Sequence, residues 1–98
     1  MNIEQKKNGN ELVIALEGRL DTTTAPQLES VLKADLAGVK ALIVDLEKLE
    51  YISSAGLRVL LSAQKVMNQQ GTMKVIHANE MILEIFDVTG FSDILTIE

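Results

Sequence analysis

Two adjacent serines, Ser53 and Ser54, occupy the place in the chain best suited to chemistry on a hydroxyl group. A predicted strand, residues 41–46, ends shortly before them, and a predicted helix, residues 54–70, begins at them. Serine is a preferred helix N-cap, because its side-chain oxygen accepts a hydrogen bond from a backbone N–H that has no partner within the helix. The same N–H groups and the positive end of the helix dipole also favour an anion such as phosphate. The position therefore has two interpretations, an ordinary cap or a phosphate acceptor.

The usual arrangements of catalytic and ligand-binding residues are missing from the sequence. His77 is the single histidine, and a Ser-His-Asp hydrolase would need it held against Ser54 by an orienting acid; a lone histidine at a strand end is more often a surface or packed residue. Residues 53–56 do not match the G-x-S-x-G nucleophile elbow, and no glycine-rich phosphate or dinucleotide loop occurs. With no cysteine and no His/Asp/Glu cluster at ligand spacing, no metal site is expected. We therefore predict a protein that is not an enzyme and has no metal or cofactor, and a small hydrolase is the least favoured hypothesis.

Length and composition set the class of protein. With 98 residues, 47% of them hydrophobic, the chain is long enough for one domain, residues 1–98, with its own core. The net charge is −5 and the nine basic residues are spread from Lys6 to Lys74, so neither nucleic acid nor an anionic membrane surface is an expected partner. No stretch approaches the about 18 apolar residues of a membrane span, and the N-terminus lacks the apolar segment of a secretory signal. A cytoplasmic protein is the expectation.

The pattern of apolar residues predicts the element order β-β-α-β-α-β-α. Strands joined through a helix lie parallel in a sheet, whereas the Asn-Gly pair at residues 8–9 predicts an antiparallel hairpin. Unbroken apolar runs in the strands predict a sheet covered on both faces. Together these features predict an α/β domain with a mixed, mostly parallel sheet of four to five strands packed with about four helices. The strands are expected at residues 2–7, 11–17, 41–46 and 73–77, with a possible last piece at residues 95–97.

Two predicted loops place further polar residues near the serines. Residues 18–24 and 51–56 lie at the carboxyl ends of neighbouring parallel strands, where open sheets of this kind bind ligands. Asp21 and Ser54 are therefore expected to lie close together. Asp21 either shapes the surface around the acceptor or caps its own threonine-rich loop, because aspartate commonly does both.

Five more residues have local predictions. Asn79 is expected to cap the last helix. Thr24, with Gln27 three residues later, has the pattern of a capping box at the start of the first helix. Gly56 either allows a partner to approach closely or is an ordinary small residue in the first helical turn. Arg58 either pairs with a carboxylate of a partner or is a solvated surface charge.

Four short motifs, in this order and spacing, resemble those of STAS domains and, within that family, the small stand-alone anti-sigma-factor antagonists of bacteria. The motifs are Gly-Arg-Leu-Asp at residues 18–21, Val-Asp-Leu at residues 44–46, Tyr-Ile-Ser-Ser-Ala-Gly-Leu at residues 51–57 and Phe-Asp-Val-Thr-Gly-Phe at residues 86–91. The resemblance spans nearly the whole chain and implies a single STAS-like domain.

The resemblance also implies a mechanism. A serine at the start of the helix after the second crossover strand is phosphorylated by a GHKL-type partner that is both anti-sigma factor and serine kinase. The unphosphorylated antagonist binds that partner and releases a sigma factor, and a serine phosphatase resets the switch. By position the acceptor is Ser54, with Ser53 as second choice, because the family often has aspartate where this chain has Ser53. The surface expected to contact the partner comprises Asp21, Thr22, Thr23, Ser53, Ser54, Ala55, Gly56, Leu57 and Arg58.

A second hypothesis keeps the family and changes the function. The chain would then be a constitutive STAS subunit of another signalling or transport complex. Its serines would cap the helix and contact other subunits without being phosphorylated.

Overall fold

A computed structural model describes residues 1–98 as a four-stranded sheet packed with three α-helices and a short 3-10 turn. The sheet order follows the chain, with β1 antiparallel to β2 and with β2, β3 and β4 mutually parallel. The predicted element order and the mixed, mostly parallel sheet are therefore confirmed. The elements are β1 (Asn2–Asn8), β2 (Glu11–Leu20), α1 (Ala25–Asp35), β3 (Ala41–Ile52), α2 (Ser54–Gln70), β4 (Thr72–Ile76), α3 (Glu80–Thr89) and the 3-10 turn (Phe91–Asp93).

The number of elements is at the lower end of the prediction. The fourth predicted helix is only the 3-10 turn, and the possible fifth strand is a single parallel bridge between Ile97 and Val75. Backbone hydrogen bonds from Val75 to Thr96 and from Glu98 to Val75 hold this bridge against the free edge of β4. The C-terminal residues thus protect part of the edge, because they satisfy backbone groups that would otherwise be open to pairing.

Only one face of the sheet is covered, contrary to the prediction. Burial alternates along the strands, so that Leu12, Ile14 and Leu16 are buried while Val13 and Ala15 between them are only half-buried. The physical reason is the strand order. Both helical crossovers step in the same direction across the sheet, and because such crossovers are right-handed, their helices lie on the same side.

β2 and β3 extend beyond their predicted ends. The third strand was predicted to end at residue 46, but residues 47–52 also belong to β3. Residues 18–20 of the predicted loop at residues 18–24 belong to β2. The pairing shifts register between Ala15 and Glu17 and again between Gly18 and Arg19. These irregularities let Leu20 and Ile52 point into the core at the far end of the strands, since an inserted residue changes which side chains face inward.

Three predicted helix starts have different outcomes. Ser53 is the N-cap of α2 and Asn79 is the N-cap of α3, where its Oδ1 accepts a hydrogen bond from the Ile82 N–H at 2.8 Å. The predicted capping box at Thr24 is wrong. The Thr24 hydroxyl instead donates to the Arg19 carbonyl oxygen at 2.8 Å and accepts from the Asp21 N–H at 2.8 Å, so it closes the preceding loop.

The start of α2 lies against the ends of β2 and β3 with no space for a side chain at Gly56. A Cβ atom there would lie 2.6 Å from Leu20 Cγ and 2.9 Å from Ile52 Cγ1, both well inside van der Waals contact. Gly56 is buried, so its small size serves the packing of the domain itself. The sequence left two interpretations, close approach by a partner or an ordinary small residue. Gly56 does allow a close approach, but the approaching surface is the sheet of its own chain.

Substituting Gly56 with alanine should therefore destabilise the domain. The added methyl group must displace Leu20 or Ile52, and overpacking of this kind costs about 1–3 kcal/mol, which outweighs the gain of about 1 kcal/mol in helix propensity. Urea unfolding followed by circular dichroism measures the change. Ser62→Ala, at an exposed position of the same helix, is the control and should leave stability equal or slightly higher. A Gly56→Ala variant at least as stable as the wild type would contradict the packing argument.

Candidate functional site

The carboxyl ends of β2 and β3 bring the two polar segments together. The Ser53 N–H donates to the Leu20 carbonyl oxygen at 2.8 Å, which joins the start of α2 to the residue before Asp21. Thr22 on one segment and Ala55 on the other line the same shallow cavity. The predicted proximity of these two segments is therefore present in the fold.

The two serines have different environments. Ser53 is half-buried with an extended backbone, and its Oγ accepts a long hydrogen bond of 3.5 Å from the Gly56 N–H. Ser54 is the first residue of α2, is exposed, and takes no part in the cap. The capping function thus falls on Ser53, and the Ser54 hydroxyl is left facing solvent beside the free N–H groups of the first turn.

Asp21 is the centre of a hydrogen-bond cluster in the loop before α1. Its Oδ1 accepts from the Thr23 hydroxyl at 2.7 Å, from the Thr23 N–H at 3.0 Å and from the Thr24 N–H at 3.2 Å. Chiefly because of the Thr23 hydroxyl, and against a smaller effect of burial, the pKa of Asp21 lies below its ordinary value of 3.8. The structure therefore supports the interpretation that Asp21 caps its own loop, and it holds a negative charge in the loop that follows β2.

Two features of the site were missed by reasoning from the sequence. The Thr24 hydroxyl links Arg19 to Asp21, as described above, and the Arg19 guanidinium lies over the Tyr51 ring, 4.6 Å from its centroid. Arg19 and Tyr51 are register partners only because of the two shifts between β2 and β3. No signal in the sequence marks those shifts, so the pair could not have been found without the structure.

The nine residues predicted to contact a partner divide into accessible and buried groups. Thr22, Thr23, Ser54 and Arg58 are exposed, and Asp21, Ser53 and Ala55 are half-buried. Gly56 and Leu57 are buried, the latter only 4% exposed, because the first turn of α2 packs them against the sheet. These two residues support the site from within and offer no side-chain surface to a partner in the free domain.

His77 lies far from the serines. Its Nδ1 is 3.0 Å from Asp45 Oδ1, and Asp45 also accepts a hydrogen bond from the Glu47 N–H at 3.0 Å. Asp45 precedes Ile52 by seven residues of extended strand, and at about 3.3 Å per residue this separates His77 from Ser54 by about 20 Å. His77 and Ser54 are far outside hydrogen-bond distance, so His77 cannot act as the general base that the hydrolase hypothesis requires.

No group of three or more His, Cys, Asp or Glu side chains is placed to hold a metal ion. None of the helices combines the length and the apolar composition needed to cross a membrane.

The chain matches known proteins over nearly its full length. The model of the STAS domain family matches residues 2–98. A Bordetella bronchiseptica protein named as a candidate anti-sigma factor antagonist, BtrV, is 34% identical over 99% of this chain and 85% of its own length. The anti-sigma-B factor antagonist of Bacillus subtilis is 30% identical over 99% of this chain and 90% of its own length.

A solved structure shares the fold. The Bacillus cell fate determinant SpoIIAA, in its phosphorylated form, superposes with a TM-score of 0.78 and covers 99% of this chain and 91% of its own. At 17% sequence identity, this likeness shows the fold alone.

Removing the hydroxyl of Thr23 should raise the pKa of Asp21 toward 3.8, since that hydroxyl is the main cause of its lowered value. An NMR titration of the carboxyl carbon in Thr23→Val measures the shift, with Thr22→Val as the matched control. The lowered pKa also stabilises the wild type above pH 3.8, and this contribution is lost as the pH falls through the folded-state pKa. Equal Asp21 titration in the wild type and Thr23→Val would show that the hydroxyl does not hold the charge.

Proposed function

The chain belongs to the STAS domain family, and from that premise we propose that it is an anti-sigma factor antagonist controlled by phosphorylation of Ser54. In the unphosphorylated form it binds a GHKL-type protein that is both anti-sigma factor and serine kinase, and so releases a sigma factor. A serine phosphatase removes the phosphate and restores binding. These partners place the protein in the cytoplasm, where it acts by binding and carries out no catalysis.

The names of the relatives support the first part of this proposal. BtrV and the Bacillus subtilis protein are each at least 30% identical to the chain and match it over nearly its whole length, and both are named as anti-sigma factor antagonists. The chain spans 85% and 90% of the length of these relatives.

One observation carries the choice of acceptor. An ordinary N-cap is the main competing interpretation of a serine at this place, and the structure assigns the cap to Ser53. Ser54 is left exposed, with no structural task that explains a hydroxyl at the first helical position. Backbone N–H groups of the first turn and the helix dipole favour a phosphate there.

The physical effect of the phosphate follows from its surroundings. The phosphate adds about −1.5 to −2 charges to the predicted partner-binding surface, which already carries the Asp21 carboxylate. Because the first turn of a helix tolerates anions, the domain should remain folded while the charge and shape of the docking surface change. A partner that binds the unmodified surface would then be opposed by a bulky, strongly negative group.

Phosphorylation can be tested with the purified GHKL-type kinases of the source organism and ATP. The wild type should be phosphorylated on Ser54, as located by peptide mass mapping, and Ser54→Ala should not be phosphorylated. Ser53→Ala should keep its phosphorylation, because it removes only a long cap hydrogen bond and costs about 1 kcal/mol or less of stability. Phosphate on Ser53 alone would move the acceptor by one residue.

The variant Ser54→Asp distinguishes the proposed switch from the alternative, a constitutive subunit that is not phosphorylated. We expect partner affinity to fall at least about tenfold, because a fixed negative charge takes the place of the neutral hydroxyl. The melting temperature should change little, since aspartate is favourable in a first turn. Ser30→Asp, which adds the same charge at an exposed position of α1, is the control for isothermal titration calorimetry. Unchanged affinity in both variants would favour the constitutive subunit.

A further inference from the structure

A groove of about 350 Å³ runs between α1 and α2. Leu32 of α1, Leu36 directly after it, and Val59 and Ala63 of α2 line it as part of the buried core. Val66, on the α2 side, is 42% exposed even though it is a large apolar residue. The groove therefore presents apolar surface to solvent in the middle of an otherwise polar helix face.

Gln70, the last residue of α2, lines one end of the groove. Its side-chain Nε2 donates to the carbonyl oxygens of Leu36 at 2.6 Å and Val39 at 2.8 Å. Both amide hydrogens are thus used to tie the end of α2 to the chain that follows α1. Because the two helices are held together in this way, the groove is already formed in the free domain.

The other end of the groove opens toward the acceptor. Glu29, Val59 and Ser62 line the groove and also line the shallow cavity that contains Thr22 and Ala55. The surface around Ser54 and the groove are therefore continuous. From Val59 to Gln70 the helix advances about 16 Å, which is the length of three helical turns.

The charges along the groove are not balanced within the domain. Lys33 is paired with Glu29 at 3.5 Å, and the remaining ion pairs join Lys74 to Glu98 and His77 to Asp45. Arg58 lines the shallow cavity that continues the groove, and Lys65 directly precedes Val66 on α2; both are exposed, and neither belongs to any of these pairs. In a chain with a net charge of −5, this exposed side of α2, called the cationic rim below, carries two cations that have no carboxylate partner.

We infer that the groove between α1 and α2 binds an amphipathic helix of about three turns carried by the anti-sigma factor partner. Apolar side chains of that helix pack on Val59 and Val66, and carboxylates on its flank pair with Arg58 and Lys65. The inference rests on the proposed function and extends the docking surface well beyond the acceptor. A second copy of this chain fits less well, because a two-fold contact sets the same cationic rim against itself.

The test compares two valines that are both exposed on helices. Val66→Asp places a charge in the groove, and Val88→Asp makes the same change on α3, where Val88 is 77% exposed. The probe is the kinase that phosphorylates Ser54, with affinity measured by calorimetry. We expect Val66→Asp to weaken binding about tenfold or more and Val88→Asp to leave it unchanged. In the kinase reaction, Val66→Asp should raise KM without lowering kcat, since Val66 is about 18 Å along the helix from Ser54.

A charge reversal tests the other half of the inference. Lys65→Glu should weaken binding about three- to tenfold and reduce its dependence on salt, because it removes one cation of the rim. Lys7→Glu, with the same change in charge on the exposed strand β1, is the matched control and should bind as the wild type does.

The outcomes separate the two proposals. If the wild type binds the kinase and is phosphorylated, and if Val66→Asp and Lys65→Glu both bind as the wild type does, the groove proposal is overturned and the proposed function stands. A wild type that no GHKL-type kinase binds or phosphorylates would overturn the proposed function, and the groove proposal with it. A concentration-dependent dimer in analytical ultracentrifugation that Val66→Asp dissociates would assign the groove to a second copy, and so would also overturn the proposed occupant.

Discussion

The first turn of α2 lies against the ends of β2 and β3 without room for a side chain at Gly56. Leu20 and Ile52 occupy the space that a Cβ atom would need, and the Ser53 N–H is bonded to the Leu20 carbonyl oxygen. These contacts set the height and direction of α2 on the sheet. Ser54 stands just outside the contact, so the group proposed to be modified is exposed on a rigid support.

The strand order decides where the functional surfaces lie. Because both crossovers step the same way across the sheet, α1 and α2 lie side by side on one face, and the groove between them begins near Ser54. Gln70 holds the far end of this groove through two carbonyl oxygens. The same arrangement leaves the opposite face of the sheet half-exposed, with no helix to cover it.

The electrostatics of this edge differ from those of the whole domain. The chain is acidic overall, but the exposed side of α2 presents Arg58 and Lys65 without carboxylate partners, while Asp21 holds a negative charge in the loop after β2. A phosphate on Ser54 would make this surface more negative, and the N–H groups of the first turn of α2 would stabilise the phosphate without unfolding the domain. Control by docking, with the fold unchanged, is the mode of regulation that this chemistry favours.

Much of the architecture was readable from local patterns. Apolar runs, the Asn-Gly turn and the cap at Asn79 each depend on neighbours within a few residues, so the element order, the parallel crossovers and the start of α3 followed from the sequence. The predicted third strand ended at residue 46, where the apolar run meets the charged Glu47 and Lys48. Two register shifts instead keep residues 47–52 in β3 and turn Leu49 and Ile52 inward.

The sequence by itself determined that the chain is an α/β domain with a pair of serines at the start of a helix that follows a parallel strand. Only the tertiary structure decided between those serines, because either hydroxyl could have capped the helix as far as local preference goes. The choice depends on how α2 meets the sheet: packing at Gly56 and the bond to Leu20 place Ser53 in the cap and leave Ser54 outside. Thr24 departs from its pattern for a reason nearer in the chain, since its hydroxyl closes the loop between Arg19 and Asp21 instead of capping α1.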